Sequence, residues 1–368
     1  MDLDFGLNPA QREAVLAPDG PVLCLAGAGS GKTRVLTCRV AHLVRRGVPP
    51  YAILAVTFTN KAAGEMRRRV ETLLGEGAGG PWMGTFHSIC ARLLRIHGAA
   101  VGLTRDFVIL DDDDQRSLIA RVLKDLDLPD RMFTPRGVLV HIDRAKNQGT
   151  GADDYAPADF LREGIARAYR EYQRRLLASQ AVDFGDLLLY TKRLLEDPEA
   201  GARLRGRFAH VLVDEFQDTN HVQYALARGL AGETGSLYAV GDPDQSMYAF
   251  RGADLRNILD FERDYPGVRT VKLEQNYRST PTILQAASSL IAHNLARKPK
   301  SLWTENPDGP PIVLCRAEDE RREAEFVAET IGRLRAEGEA LGGFAVFYRS
   351  HAQSRAVEEA LRAGDPLA

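Results

Sequence analysis

Short apolar runs alternate with longer amphipathic stretches from the start of the chain to about residue 105. Pro21-Val-Leu-Cys-Leu-Ala26 and Ile53-Leu-Ala-Val-Thr57 are apolar on both faces, the pattern of strands buried inside a parallel sheet. Thr33 to Val44 and Lys61 to Leu74 carry apolar residues at helical spacing and predict the helices that follow those strands. From about 106 to 195 such strands are missing, and Gln115 to Leu126 and Ile165 to Leu177 repeat with a helical period. The strand pattern returns at His210-Val-Leu-Val213, Leu237-Tyr-Ala-Val240 and Val271-Lys-Leu273. A helical insertion inside one α/β domain accounts for this order most simply. From about 276 a further α/β stretch begins, with strands expected at Ile312 to Cys315 and Phe344 to Tyr348.

A length of 368 residues suits two or three domains. No stretch approaches the roughly 18 consecutive apolar residues of a membrane span. The start, Met1-Asp2-Leu3-Asp4, is acidic where a signal peptide is basic and then apolar, so a cytoplasmic setting is expected. Cys24, Cys38, Cys90 and Cys315 are scattered without metal-ligand spacing and read as free thiols. The net charge of −2 does not announce a nucleic-acid binder, although a local basic and aromatic track can still hold one. Asp111 to Asp114 resembles an acidic metal site, but its place before Gln115-Arg-Ser-Leu-Ile fits a helix cap better.

The first chemical motif is Ala26-Gly27-Ala28-Gly29-Ser30-Gly31-Lys32-Thr33, between a strand and a helix as a P-loop requires. Its glycines let backbone N–H groups turn inward around phosphates. Lys32 supplies a point charge to those phosphates, and the Thr33 hydroxyl suits Mg²⁺. The second motif is Val211-Leu212-Val213-Asp214-Glu215, a strand that delivers two carboxylates to the sheet edge. Asp214 can hold Mg²⁺ through water, and Glu215 can orient and deprotonate the attacking water. Alone, this pair could equally be a helix cap; with a P-loop upstream, ATP hydrolysis is the better reading. A guanine nucleotide is disfavoured, because Asn60-Lys61 is followed by Ala62-Ala63 and lacks the guanine-reading Asp.

The run Asp214-Glu215-Phe216-Gln217-Asp218-Thr219 resembles motif II of UvrD/Rep/PcrA-type superfamily 1 DNA helicases. Leu7-Asn8 with Gln11-Arg12 is similar to their adenine-reading Q motif, Thr57 to Ala63 to motif Ia, and Gly84 to Ser88 to motif Ib. Val182 to Leu187 matches the segment closing the helical insertion, Gly241 to Ala253 resembles motif III, and Gln275 to Thr280 motif IV. The resemblance covers essentially the whole chain. It implies that Gln11 and Tyr277 hold adenine, and that Ala26, Gly27, Ala28, Gly29, Ser30, Gly31, Lys32, Thr33 and Arg34 surround ATP. It implies that Lys32, Glu215, Gln245 and Arg278 serve catalysis, with Mg²⁺ on Thr33 and Asp214. Phe58, Tyr248 and Phe250 match positions that stack single-stranded bases, while Asn60, Thr85, His87 and Arg251 would touch the strand or brace those rings. Family members usually carry Trp where Phe250 stands, so a weaker grip is expected there. Taken without the family, Phe58 and Phe86 could be core aromatics and His87 a satisfied core histidine.

The implied fold is α/β: a RecA-like P-loop ATPase domain with an inserted helical subdomain and a partial second RecA-like domain. The expected division is 1–105 and 196–275 for the first domain, 106–195 for the insertion and 276–368 for the partial second domain. The implied function is an ATP-dependent 3′→5′ DNA helicase or translocase motor in repair or replication, using ATP and Mg²⁺. Its partners would be single-stranded DNA, single-strand/double-strand junctions and other repair or replication proteins, with no membrane. Full-length relatives continue past the last residue here into motifs V and VI, so hydrolysis by this chain is expected to be severely slowed. The alternative is a truncated ATP- and DNA-binding module without unwinding activity.

Overall fold

A computed structural model describes residues 6–75, 80–157, 159–233, 235–248, 252–294 and 298–364. The strands among them are β1 (Val22–Ala26), β2 (Ile53–Thr57), β3 (Trp82–Thr85), β4 (Val108–Ile109), β5 (Ala181–Val182), β6 (His210–Val213), β7 (Ser236–Gly241) and β8 (Arg269–Leu273). Six of them build one sheet in the order β3-β2-β6-β7-β1-β8, with every neighbouring pair parallel. Alternate residues serve opposite faces. Leu23, Leu25, Leu54, Val56, Val211 and Val213 enter one core, whereas Val22, Cys24, Ile53, Ala55 and Leu212 enter the other. Burial on both faces is what makes these strands unbroken apolar runs in the sequence. Helices Lys32–Arg45 and Asn60–Leu74 pack on the second core; Phe86–His97, Phe184–Glu196 and His221–Ala231 pack on the first.

Helices Asp112–Asp125, Pro135–Asn147 and Phe160–Ala178 share a core of their own, with Ile119, Val122, Ile142, Tyr169 and Tyr172 at its centre. The acidic run is a cap: the Asp111 carboxylate accepts from the N–H groups of Asp113 and Asp114, each at 2.9 Å. Where the pattern showed no strands, β4 and β5 form a short parallel pair. They bring the entry and exit of the helical segment side by side.

A buried charge cluster ties this segment to the sheet layer. The Lys146 ammonium, fully buried, lies 2.6 Å from Asp183 and 2.8 Å from Asp186. The Tyr172 hydroxyl donates to Asp183 at 3.1 Å, and the Gln173 amide donates to Asp186 at 3.0 Å. At the other end of the domain the buried Arg39 donates to the Val15 carbonyl at 2.9 Å and also to that of Ala17. That satisfies orphan carbonyls at the end of helix Pro9–Val15 and fixes the helix that carries Gln11.

Described residues 309–364 form a separate compact unit, in which helices Glu320–Ala336 and Ser354–Gly364 pack together. The strands expected at Ile312 to Cys315 and Phe344 to Tyr348 do not form ladders. Both runs lie outside regular secondary structure, and Leu314 and Phe347 are 94% and 93% exposed. A strand is completed by a neighbour that pairs with its N–H and C=O groups, and among the described residues of this unit no such ladder forms. No helix among the described residues is long and apolar enough to cross a membrane.

Candidate active site and nucleic-acid interface

Because the six strands run in one direction, every segment that follows a strand emerges at the same sheet edge. The glycine loop follows β1, Phe58 follows β2, His87 follows β3, Glu215 follows β6, Gln245 follows β7 and Tyr277 follows β8. Topology alone therefore collects the candidate residues.

The loop after β1 needs its glycines. Gly29 (φ 66°) and Gly31 (φ 88°) are left-handed, and a Cβ would stand 2.6 Å from Asn276 Nδ2 or 2.9 Å from Gln11 Nε2 respectively. Its carbonyls are bonded from within the loop and from outside it. Ser30 Oγ donates to Gly27 O (2.7 Å), Asn276 Nδ2 to Ala28 O (2.6 Å), the Tyr277 N–H to Gly29 O (3.0 Å) and Gln11 Nε2 to Ser30 O (2.9 Å). Helix Lys32–Arg45 begins at Gly31 with no side-chain cap, which leaves its first N–H groups for an anion. Arg34, on the exposed side of this turn, donates to Gly6 O at 3.1 Å. Ala26 ends β1 in the core.

Lys32 Nζ donates to Gln245 Oε1 at 3.1 Å, and Thr33 Oγ1 stands 3.4 Å from Asp214 Oδ2. Burial, and then the charge of Glu215 beside it, push the Asp214 pKa up to about 7. A buried carboxylate that resists ionisation beside a hydroxyl is a donor pair that a divalent cation would satisfy. Among the described residues no three acidic, His or Cys side chains gather as a metal cage. Such a sparse protein donor set suits Mg²⁺, which usually keeps waters and substrate phosphate oxygens. Glu215 has φ 50° and ψ 46°, an uncommon conformation for a residue with a side chain. Its N–H donates to Asp214 Oδ1 at 3.1 Å.

At the opposite end of the loop, Gln11 caps its own helix with Asn8, whose Nδ2 donates to the Tyr277 hydroxyl at 2.7 Å. The Tyr277 ring is 48% exposed beside them. Arg278 projects from the same turn, with its N–H on Asn276 Oδ1 at 2.8 Å and its side chain exposed.

The Phe58 and Tyr248 rings lie 4.7 Å apart, tilted by 34°. They line a cavity of about 530 Å³ whose wall also carries Glu215, Gln217 and Gln245. A second cavity of about 670 Å³ runs past Phe58 to His87, Arg144, Phe184 and Asn220, so the helical segment forms one side of it. His87 packs edge-on against Phe184 at 5.9 Å, and burial lowers its pKa. Not every predicted residue converges here. Thr85 caps helix Phe86–His97, its Oγ1 accepting from the Ser88 N–H at 3.2 Å. Asn60 starts the next helix on an exposed face and lines neither cavity, whereas Phe86 is buried in the core and also lines the larger cavity. Phe250 and Arg251 lie outside the described residues.

Three participants carried no assigned role in the sequence reading. Asn276 cross-links the glycine loop to the turn after β8; an Asn just after a strand is a turn signal that could have pointed to it. The Lys300 side chain, 4% exposed, pairs with Asp242 and Asp244, and nothing local in Lys298-Pro-Lys300 marks it. Gln217 bridges the turns after β6 and β7.

A parallel sheet of this order, with a glycine loop after β1, a carboxylate pair after β6 and a helical insertion, defines a RecA-like helicase core. Residues 7–266 match the family model of the UvrD/REP helicase N-terminal domain, and 271–365 that of the UvrD-like helicase C-terminal domain. The chain belongs to the UvrD/Rep helicase family. It is 47% identical over 361 residues to the ATP-dependent DNA helicase PcrA of Bacillus subtilis, covering 97% of this chain and 49% of that protein. It is 49% identical over 365 residues to PcrA of Leuconostoc citreum, covering 98% and 49% respectively. The chain thus spans about half the length of the curated relatives it matches.

Proposed function

We propose that this chain binds ATP with Mg²⁺ and single-stranded DNA, and hydrolyses ATP in a manner that depends on the strand. The observation that carries the reading is the short segment from Gln245 to Tyr248. One end touches Lys32 and the other stacks on Phe58, so a single loop faces both candidate ligands. Lys32 and the helix N-terminus bind the phosphates, Thr33 and Asp214 hold the cation, and Glu215 takes the proton of the attacking water. Bound Mg²⁺ would neutralise charge on the phosphate oxygens. Tyr277 stacks on adenine, and Arg278 approaches the terminal phosphate from the turn after β8.

Phe58 and Tyr248 offer ring faces to any base, which suits a motor that ignores sequence. His87 and Arg144 supply polar contacts to the strand from the larger cavity. With the relatives' remaining half in place, the reading extends to 3′→5′ translocation and strand separation at junctions, in cytoplasmic DNA repair or replication.

Phe58→Ala and Tyr248→Ala should each weaken oligo(dT) binding by about 1–3 kcal/mol, roughly 5- to 150-fold. Fluorescence anisotropy with labelled oligo(dT) measures this. Unchanged affinity in both variants would show that the rings are core and not a platform.

A further inference from the structure

We propose that Gln217 is a positioning residue: its side-chain amide aims the Glu215 carboxylate and locks it to the loop after β7. The inference rests on the reading of Glu215 as the group that activates water. Gln217 is 1% exposed and uses both ends of its amide. Oε1 accepts from the Asp242 N–H at 2.9 Å, while Nε2 donates to Glu215 Oε2 at 2.9 Å and to Asp218 Oδ2 at 3.2 Å. These partners dictate the orientation of the amide. A backbone N–H can only donate and ionised carboxylates can only accept, so a flipped amide would lose every bond. Neither Glu nor Leu at this position could meet the same three demands.

The surroundings are fitted to this side chain. A Cβ on Gly241 would stand 2.7 Å from Gln217 Oε1, so the end of β7 leaves room for the amide. Ser246 Oγ lies 3.4 Å from the Gln217 carbonyl, a second and longer tie to the same loop. Glu215 occupies a left-handed conformation, which reorients its side chain relative to the strand before it. Gln217 Nε2 then holds that side chain by one of its oxygens. The same amide touches Asp218, which lines both cavities, and Asp242, which opens the segment leading to Gln245. Glu215 is therefore held by a group that also senses the strand-side loop.

The test is a double-mutant cycle read by single-turnover hydrolysis of labelled ATP, followed for hours so that slow rates are measurable. The set is wild type, Gln217→Glu, Gln217→Ala, Glu215→Gln and Glu215→Gln with Gln217→Glu. Circular-dichroism melting checks that each is folded. Gln217→Glu keeps the acceptor for Asp242 but replaces the donor by a repelling oxygen. It should lower the rate at saturating ATP roughly 10- to 100-fold, the cost typical of lost outer-shell partners, with little change in half-saturating ATP. On the Glu215→Gln background the same substitution should cost nothing further, because its effect passes through Glu215. A slow Glu215→Gln beside a Gln217→Glu of wild-type rate would overturn the positioning role, as would losses that multiply. A Glu215→Gln of wild-type rate would instead remove the base assignment, and the inference with it.

Discussion

Arg278→Ala is expected to slow ATP hydrolysis by about 10³- to 10⁵-fold while altering ATP affinity far less. The turn that carries Arg278 is clamped to the glycine loop by Asn276 and by the Tyr277 N–H. A Cβ on Gly29 would stand only 2.8 Å from the Arg278 Cβ, so this side chain starts at the rim of the loop. If the proposed role holds, a guanidinium reaching the terminal phosphate from this rim would add positive charge where negative charge builds in the transition state, and would contribute little to ground-state binding. Arg278→Lys should recover only part of the loss, because a point charge lacks the planar fork. Single-turnover rates and nucleotide affinity separate the two effects. A fall of less than about tenfold would assign the charge stabilisation to another group.

Lys146→Met should destabilise the helical segment and its junction by about 3–5 kcal/mol, since it leaves Asp183 and Asp186 buried without their cation. Burial and the charge of Asp183 already push Asp186 up to about 6, even against the opposing pull of Lys146. Removing the ammonium removes that pull. The combined variant Lys146→Met, Asp183→Asn, Asp186→Asn should regain much of the loss, because no unpaired charge remains. Urea unfolding of the wild type and these two variants measures both effects. A loss below about 1 kcal/mol in Lys146→Met would mean that water reaches the cluster.

The glycine loop and the carboxylate pair were legible because each is local: a few residues of fixed type between a strand and a helix. The central sheet strands were legible because burial on both faces writes an unbroken apolar run, as in Leu23–Leu25 and Val211–Val213, whereas the edge strand β3, Trp82–Thr85, carries no such run and was not anticipated. Ile312 to Cys315 shows the limit of that signal. An apolar run indicates that a segment suits a sheet, but the neighbour that completes the ladder is set by distant residues. The Lys146 cluster was hidden for a similar reason. Its partners lie 37 and 40 positions away, and a Lys in an amphipathic helix reads as solvated. Gln217 reads as one more polar residue in Phe216-Gln217-Asp218 until β7 brings Asp242 beside it. Asn60 and Thr85 illustrate the reverse. Their motifs matched, yet one starts a helix on an exposed face and the other spends its hydroxyl on a helix cap.

The most direct test of the account is ATP hydrolysis by this chain with and without oligo(dT), alongside Lys32→Ala and Tyr248→Ala. The segment from Gln245 to Tyr248 links Lys32 to the Phe58 ring, so on the proposed reading DNA should raise turnover of the wild type. The increase should shrink in Tyr248→Ala, and turnover should vanish in Lys32→Ala with or without DNA. Turnover that depends on Lys32 but is indifferent to oligo(dT) would contradict the account, leaving an ATPase uncoupled from the strand.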